Sequence, residues 1–550
     1  METSSRLAQS RRGYADDWYA WEDPEVPEYL SPTWYLLDRH VDGERAAATA
    51  LVADDVRYTY ADLLGTVERV AAGLGELGVP RGGRLLMVGT DSLEFVALWL
   101  ACVRAGIVPV VVSDAVKAPQ LAYYLRDTEP AALYVDAAQL PKLAAAAEQV
   151  STPPAVLFVR GESVDDVASW PGVKCVRFDS LTEVDRPNAA AVTLHANDVA
   201  YMLYSGSTTG PAKGVTHLAH DFVLVPERQG AFWEYGPGDV VHATSKKYFT
   251  HGLWPGVLIP LYWGATAVVS GEPASGANVV SIVETHRPTK LITVPTTVKA
   301  ILQYADETGD RPDFTSVGLV VTASEQVPTE LAVRFDSLFG LELMDSIGSS
   351  EVTYEWIANR QRDHRRGALG RPVFGYEVKL VDADGAEVVE PGGEGEAWVR
   401  SRTACLFYWR KYEATRRTFV GEWTRTGDVL TLTDDGYFRF VGRRDDLFKV
   451  SGMWVSPLEV EGAIAGHPAV HEVAVIGATD DNGLTKPRAF VVLRGGEDPS
   501  DALTADLKAR VRTVGGYKVP DDVTYLDALP RTPLMKIDRR ALRKAFPPRP

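Results

Sequence analysis

The segment RLLMVGTDSLEFVALWLACVRAGIVPVVVSD, residues 84–114, decides the fold class. It begins with a short apolar run, continues with a helical pattern through EFVALWLACVRAG, and ends with a second apolar run. Two apolar strands joined by a helix are typical of a parallel β-α-β unit. The segment therefore predicts an α/β protein in which helices pack against a parallel sheet.

The same alternation recurs further along the chain. Other apolar runs, each near a helical stretch, are ALYVD (132–136), AVLFVR (155–160), ATAVVS (265–270), KLITVP (290–295) and GLVVTA (318–323). Their number predicts a large N-terminal domain built of doubly wound βαβ subdomains. The first forty residues are rich in aromatic residues, prolines and acids, and we expect them to form an irregular arm.

The pattern changes after about Gly370. Residues 376–401, YEVKLVDADGAEVVEPGGEGEAWVRS, combine short strands with Asp-Gly and Gly-Gly turns, which indicates antiparallel structure and a small β-barrel. A charged segment, GRRDDLFKVSG (442–452), follows, and helix and strand patterns then return. These changes predict an N-terminal domain over 1–444 and a small α+β C-terminal domain over 445–550.

Composition narrows the class of protein. The chain has 550 residues, 45% of them apolar, and its 57 Lys and Arg against 74 Asp and Glu give a net charge of −17. Such a chain can bury a large core, and its acidity argues against binding nucleic acid or anionic membranes. Three scattered cysteines, no paired metal-ligand spacing and no apolar leader predict a cytoplasmic protein without a membrane span.

A glycine-rich string, YSGSTTGPAKG at 204–214, is the sharpest local signal. It follows an apolar strand, and its glycines, hydroxyls, backbone N–H groups and Lys213 suit the binding of a polyphosphate. The spacing is not that of a Walker loop, which argues against a P-loop kinase or ATPase. An ordinary Ser/Gly surface loop is the alternative.

Two further turns carry carboxylates, and each has a structural alternative. Glu351 ends DSIGSSE (345–351), where it could hold Mg²⁺ together with water and phosphate oxygens, although Ser349 or Ser350 could equally cap a helix. Asp428 ends TRTGD (424–428), where it could accept from ribose hydroxyls, although an Asx turn is also possible.

Together these strings resemble the adenylate-forming superfamily of acyl- and aryl-CoA ligases, adenylation domains and luciferases. The ordered motifs are YSGSTTGPAKGVTH, DSIGSSE, GRPVFGYEVKLVD, EWTRTGDV, DGYFRFVGRRDDLFKVSGMWVSPLEVE, GLTKPRAFVV and PRTPLMKIDRRALR. Among superfamily members, SKKYFTHGLWPG, IGSSE and KVSGMWVSPLEVE are most similar to benzoate-type aryl-CoA ligases. The resemblance implies a mobile C-terminal domain and two half-reactions, which are adenylation of a carboxylate by ATP and then displacement of AMP.

The resemblance also implies roles for individual residues. ATP or AMP would be bound by Ser205, Ser207, Thr208, Thr209, Lys213, Ser324, Glu325, Asp345, Ser346, Ile347, Ser350, Asp428, Arg443 and Lys536. Lys536, Glu351 and Arg443 would be catalytic, because Glu351 binds Mg²⁺ and Lys536 bridges the carboxylate and the α-phosphate. Asp445 would be the hinge of the C-terminal domain.

The acyl pocket would be formed by Tyr248, His251, Gly252, Gly348 and Tyr354. Relative to benzoate-type ligases, His251 replaces an aromatic residue and Tyr354 replaces a histidine. Each could be a structural wall residue. If Tyr354 or Glu355 faces the pocket, the substrate carries a polar ring substituent such as a hydroxyl or an amine.

Three positions depart from the superfamily pattern, since Ser324, Ser346 and Met535 stand where glycine is usual.

The leading hypothesis is a ligase that uses ATP, Mg²⁺ and CoA on an aromatic or arylacrylic carboxylic acid, as a monomer or homodimer. Alternatives are loading of a carrier protein, amide formation, and diazotisation of an aminoaryl acid with nitrite. A non-catalytic ligand-binding homologue is the remaining alternative.

Overall fold

The computed structural model describes residues 20–161, 170–182, 189–206, 211–324, 327–450, 453–479, 484–532 and 537–546, and all counts of elements below refer to these residues. Five of the predicted site residues lie outside the described residues. They are Ser207, Thr208, Thr209, Glu325 and Lys536. Met535 lies outside them as well.

The first large sheet contains the strand–helix–strand segment predicted at 84–114. Five of its neighbouring strand pairs are parallel, and two antiparallel strands complete one side. Its strands, in spatial order, are Phe407–Tyr408, Lys213–Leu218, Val199–Ser205, Val108–Val111, Arg84–Val88, Ala132–Asp136, Val156–Arg160 and Lys174–Arg177.

The second large sheet is also parallel in its centre, with antiparallel strands at both sides. Its strands, in spatial order, are Arg371–Pro372, Glu355–Ala358, Leu343–Gly348, Leu319–Thr322, Lys290–Thr293, Val240–Ala243, Thr266–Val269, Thr49–Ala53 and Val56–Thr59. The predicted fold class, an α/β domain built of doubly wound βαβ subdomains, is therefore confirmed.

Successive side chains of a strand point to opposite faces of its sheet, so each sheet contributes to two apolar cores. In the first sheet, Leu85 and Met87 point into a core shared with the second sheet, whereas Leu86 and Val88 point into an outer core. In the second sheet, Ile292 faces the shared core and Leu291 faces a different outer core. Strands buried on both faces read as continuous apolar runs, which is why the sequence reveals them so clearly.

Helices cover both sheets. The shared core contains residues of Tyr60–Glu76, Leu93–Arg104 and Asp221–Phe232 and of the helical segment 250–262, whose parts are Thr250–Leu253, a π-helical turn Trp254–Leu258, and Ile259–Tyr262. The outer helices are Ala118–Thr128 and Leu140–Ala147 on the first sheet, and Gly276–His286, Pro295–Thr308 and Thr329–Phe339 on the second. No helix in the described part of the chain is both long and apolar enough to cross a membrane.

A third sheet confirms the predicted antiparallel unit. It consists of Glu377–Val381, Glu387–Val388, Glu394–Arg400, Phe419–Val420, Trp423–Leu432 and Phe438–Arg443. The short helix Tyr412–Thr418 comes directly before the strand Phe419–Val420 along the chain. The strand Trp423–Leu432 is central to the sheet, because it pairs with three neighbours.

The C-terminal part has the predicted α+β composition. A hairpin of Phe448–Val450 and Met453–Val455 leads to a sheet of Val470–Thr479, Thr485–Leu493 and Asp522–Tyr525. Its helices are Pro457–Ala465, Asp501–Val514 and Arg539–Ala545. These elements enclose apolar clusters of their own.

The expectation of an irregular N-terminal arm is wrong in part. Tyr29–Leu30 is a strand paired with Leu194–His195, and helical turns cover Trp34–Asp38 and Arg39–Val41. Trp21 stacks on Phe374 with ring centroids 4.8 Å apart. Long-range packing orders this segment, and such contacts leave no periodic pattern in the sequence.

Candidate active site

The predicted phosphate loop connects two antiparallel strands of the first sheet. Ser205 ends one strand and lies opposite Lys213, which begins the next. The Lys213 Nζ atom lies 4.6 Å from the centre of the Tyr408 ring, on the strand beyond. The base of the loop thus places a hydroxyl and a cation side by side.

Tyr408 connects this loop to Glu351. Its hydroxyl donates a hydrogen bond of 2.8 Å to Glu351 Oε1, and its ring is buried. The Glu351 carbonyl also accepts from the Cys405 N–H at 2.7 Å. The Lys213 ammonium, the Tyr408 ring and the Glu351 carboxylate are therefore neighbours in space, and they connect the loop with the turn Ser350–Val352.

A buried polar network fixes the backbone of that turn. His217 Nε2 lies 2.7 Å from the Ser350 carbonyl, and because a carbonyl only accepts, the ring nitrogen donates. His217 Nδ1 lies 3.0 Å from Asp221 Oδ2, which also accepts from the Tyr201 hydroxyl at 2.9 Å. The turn ends at Thr353, whose φ of +83° is strained for a β-branched residue.

Three of the predicted ATP- or AMP-binding residues, Asp345, Ser346 and Ile347, lie in the strand Leu343–Gly348. Burial raises the pKa of the Asp345 carboxyl to about 8. The Ser346 hydroxyl donates to the Thr322 carbonyl at 2.9 Å, which accommodates a side chain where glycine is usual. Ser324 has φ +73°, a left-handed conformation that glycine adopts without strain. The structure thus places the Ser324 departure at a strained position and gives the Ser346 departure a hydrogen-bond partner.

Asp428 and Arg443 face each other on neighbouring strands of the third sheet. Arg443 Nη1 donates to Asp428 Oδ1 at 2.6 Å, and Asp428 is buried. The charge of Asp428 is the main reason that the pKa of Arg443 is raised, and Glu351 and Asp445 act in the same direction. Asp445 lies in the exposed turn that follows Arg443.

The predicted acyl-pocket residues come from two segments. Tyr248 lies in the turn before the helical segment 250–262, and His251 and Gly252 lie in its first turn. A Cβ on Gly252 would come within 2.1 Å of the Lys246 carbonyl oxygen. Gly348 ends its strand, and Tyr354 lies buried next to His251, with ring centroids 5.9 Å apart. The two segments therefore meet around His251.

Three residues with contacts in this region were not among the predicted site residues: Tyr408, His217 and Asp221. Glu355 was named only conditionally, together with Tyr354. Glu355 Oε1 lies 3.0 Å from His251 Nδ1, and its side chain is 2% exposed. The signal for His217 and Asp221 was a pair of titratable residues next to apolar strand and helix patterns. Tyr408 carried no such signal, because tyrosine is common in half-buried strands.

The donor set fits a Mg²⁺ ion that is shared with a nucleotide. Among the described residues, no group of three or more His, Cys, Asp or Glu side chains is arranged to hold a metal ion. Glu351 supplies one carboxylate near Lys213 and Arg443, and Mg²⁺ is commonly held by one or two carboxylates together with phosphates and water.

Comparison with known families agrees with this geometry. A family model described as AMP-binding enzyme matches residues 37–409. The chain belongs to the AMP-binding enzyme family. The model for the C-terminal domain of AMP-binding enzymes matches residues 459–536 of this AMP-binding enzyme.

Relatives of this AMP-binding enzyme match over nearly its whole length. Benzoate–CoA ligase of Thauera aromatica is 33% identical over 95% of this chain and 97% of its own length. The 4-hydroxybenzoate–CoA/benzoate–CoA ligase of Rhodopseudomonas palustris is 34% identical over 92% of this chain and 93% of its own. The crystal structure of the anthranilate CoA ligase AuaEII in complex with anthranoyl-AMP has a TM-score of 0.86 and 33% identity, covering 94% of this chain and 98% of that one. The adenylate-forming fold expected from the motifs is thereby confirmed.

Proposed function

We propose that this AMP-binding enzyme activates an aromatic carboxylic acid with ATP and transfers the acyl group to CoA. The observation that carries the proposal is the row Lys213, Tyr408 and Glu351, which places a cation and a carboxylate beside a glycine-rich loop. The similarity to benzoate- and hydroxybenzoate-CoA ligases supports the aromatic acid and the CoA thiol.

In the first half-reaction, a carboxylate oxygen attacks the α-phosphorus of ATP and pyrophosphate leaves. Two anions must approach each other, so fixed cations lower the barrier most where charge develops. We assign the β- and γ-phosphates to the loop from Ser205 to Lys213, and the α-phosphate to Ser350 and Lys536. Mg²⁺, held by Glu351, would neutralise phosphate charge when bound.

The nucleotide's remaining parts would be held by the strand ends. We assign adenine to Asp345, Ser346, Ile347, Ser324 and Glu325, and the ribose to Asp428. Arg443 already orients the Asp428 carboxylate, so the carboxylate needs little reorganisation to accept from a hydroxyl.

In the second half-reaction, the CoA thiolate attacks the acyl carbon and AMP leaves. We propose that 1–444 and 445–550 act as two domains, and that the exposed turn at Asp445 is the hinge about which the smaller one moves. A domain that carries Lys536 to and from the site permits one active site to run both reactions. We place the enzyme in the cytoplasm, where its free cysteines Cys102, Cys175 and Cys405 would stay reduced.

Pyrophosphate release tests this proposal. The enzyme would be incubated with ATP, Mg²⁺ and a panel of aryl and alkyl acids, with and without CoA, and the products would be identified by mass. We expect aryl adenylates without CoA and aryl thioesters with it. Release that is independent of any acid, or a preference for alkanoates, would contradict the proposal.

Lys536→Ala separates the two half-reactions. We expect the variant to lose pyrophosphate release but to form thioester from supplied acyl-adenylate and CoA. The matched control is Lys544→Ala, an exposed lysine of the terminal helix, which should retain both activities. An unchanged pyrophosphate release rate in Lys536→Ala would contradict the role of Lys536.

A further inference from the structure

The His251–Glu355 pair is a buried polar contact between two elements of the chain. His251 lies on the helical segment 250–262, and Glu355 begins the strand Glu355–Ala358, so the contact joins two elements separated by 104 residues. Both side chains are less than a tenth exposed. Burying an ionisable pair is costly unless the hydrogen bonds of both groups are satisfied.

The imidazole has partners at both nitrogens. Nδ1 lies 3.0 Å from Glu355 Oε1, and Nε2 lies 3.0 Å from the Thr293 carbonyl oxygen. The carbonyl can only accept, so Nε2 carries a hydrogen and donates it. Nδ1 and Oε1 are at hydrogen-bond distance, so one of these two atoms carries the hydrogen that lies between them. Whether that hydrogen is on the imidazole or on the carboxyl group, the two side chains together are electrically neutral.

The second carboxyl oxygen, Glu355 Oε2, has no hydrogen-bond partner among the described residues, although it is buried. It is an acceptor in both protonation arrangements, because the shared proton lies on the Oε1 side. An acceptor left unpaired in a buried position destabilises the protein, which makes such an atom a candidate for pairing with a ligand.

Oε2 lies against Gly348, a predicted acyl-pocket residue. Gly348 and Glu355 are directly opposite on neighbouring strands, so their side-chain positions share one face of the sheet. A Cβ added to Gly348 would come within 2.7 Å of Oε2. The absence of a side chain at Gly348 thus makes room for the Glu355 carboxyl group and lets Oε2 lie against the backbone of this predicted pocket residue. The hydroxyl of Tyr354, the preceding residue, is also buried and has no hydrogen-bond partner in the part of the chain that the structure describes.

We propose that Glu355 determines substrate specificity by accepting a hydrogen bond from a ring substituent of the aromatic acid. The proposal rests on the proposed function and names the substrate class: benzoates that carry an N–H or O–H donor, namely aromatic amines or phenols. Because the His251–Glu355 pair is neutral, it favours a neutral donor rather than a cationic group. His251 is a positioning residue, since it holds Oε1 and leaves Oε2 to the substrate.

The test compares matched acids. Amino-, hydroxy- and methylbenzoates at each ring position, together with benzoate, would be assayed for kcat/KM of pyrophosphate release and for binding by titration calorimetry. At one ring position, we expect the amino or hydroxy acid to exceed the methyl acid by about 10–100-fold, because methyl leaves the buried acceptor unpaired. The amino and hydroxy arms identify which donor is preferred.

Two variants of Glu355 separate hydrogen bonding from charge and shape. In Glu355→Gln, the amide N–H can donate to His251 Nδ1, so the amide oxygen takes the place of Oε2 and the ranking of acids should persist. In Glu355→Leu, the acceptor is gone, and the methyl acid should equal or exceed the amino and hydroxy acids. Glu422→Gln is the control and should behave as the parent enzyme, because Glu422 is exposed in the turn between the strands Phe419–Val420 and Trp423–Leu432.

The outcomes distinguish this inference from the proposed function. A parent enzyme that activates methylbenzoate or benzoate best, or a Glu355→Leu variant with the parent ranking, overturns the role of Glu355 and leaves aryl-acid activation intact. Tight binding of donor-bearing acids without pyrophosphate release would instead contradict the proposed function and support the acceptor site. If Glu355→Leu does not fold, the acid series on the parent enzyme and on Glu355→Gln still decides the matter.

Discussion

Removal of the Tyr408 hydroxyl tests whether Glu351 is the Mg²⁺ ligand. Tyr408→Phe removes the hydrogen bond of 2.8 Å to Glu351 Oε1 and keeps the ring that lies 4.6 Å from Lys213 Nζ. A hydrogen bond to a charged group contributes about 1.5–3 kcal/mol, which corresponds to about 10–150-fold. Glu351 is only half-buried, so water can replace part of this hydrogen bond. We therefore expect an effect at the lower end of that range, about tenfold.

The assay is the Mg²⁺ dependence of pyrophosphate release at saturating ATP and acid. We expect the Mg²⁺ concentration for half-maximal activity to rise by about tenfold, with a much smaller change in the rate at saturating Mg²⁺, because loss of a partner to a metal ligand typically costs about 10–100-fold in affinity. Tyr412→Phe, whose side chain is 73% exposed, is the control. An unchanged Mg²⁺ dependence in Tyr408→Phe would refute the reasoning.

Three further changes test the fold around the site. Ser324→Gly should raise the free energy of unfolding by about 1 kcal/mol in urea titrations, since φ is +73° there, and a loss of stability would contradict the strain. Asp23→Ala should lower the free energy of unfolding by about 3–5 kcal/mol, because Arg228 Nε donates to Asp23 at 2.7 Å and would stay buried without that partner. Glu25→Ala, at an exposed position, is the control, and equal losses in the two variants would contradict this reason. Burial raises the pKa of Asp345 to about 8, so the folded state keeps a proton that the unfolded state loses near pH 4; stability should therefore fall between about pH 4 and 8 and then level off. Asp345→Asn should flatten that part of the pH profile, and an unaltered profile would count against the assignment.

The sequence predicts those parts of the molecule that depend on local pattern. The strands Arg84–Val88 and Ala132–Asp136 are short apolar runs because both faces are buried, and the structure confirms them. Asp428 and Arg443 were both predicted site residues, and their pairing follows from one hairpin of the third sheet.

Contacts between distant residues could not be predicted in this way. Tyr408 and Glu351 are 57 residues apart, and Asp23 and Arg228 are 205 apart, so no periodicity connects them. The sequence named Glu355 as a residue that could face the acyl pocket, but the role of its carboxyl group depends on His251, which lies on another element. Side-chain partners across elements depend on packing, and packing depends on the whole fold.

The path of oxygen tests the central claim, carboxylate attack on the α-phosphorus, most directly. An aryl acid labelled with ¹⁸O in both carboxylate oxygens would be converted with ATP and CoA, and AMP, pyrophosphate and thioester would be analysed by mass. If the carboxylate attacks the α-phosphorus, one labelled oxygen remains in AMP and one in the thioester carbonyl. Label in pyrophosphate or inorganic phosphate, or none in AMP, would contradict an acyl-adenylate intermediate.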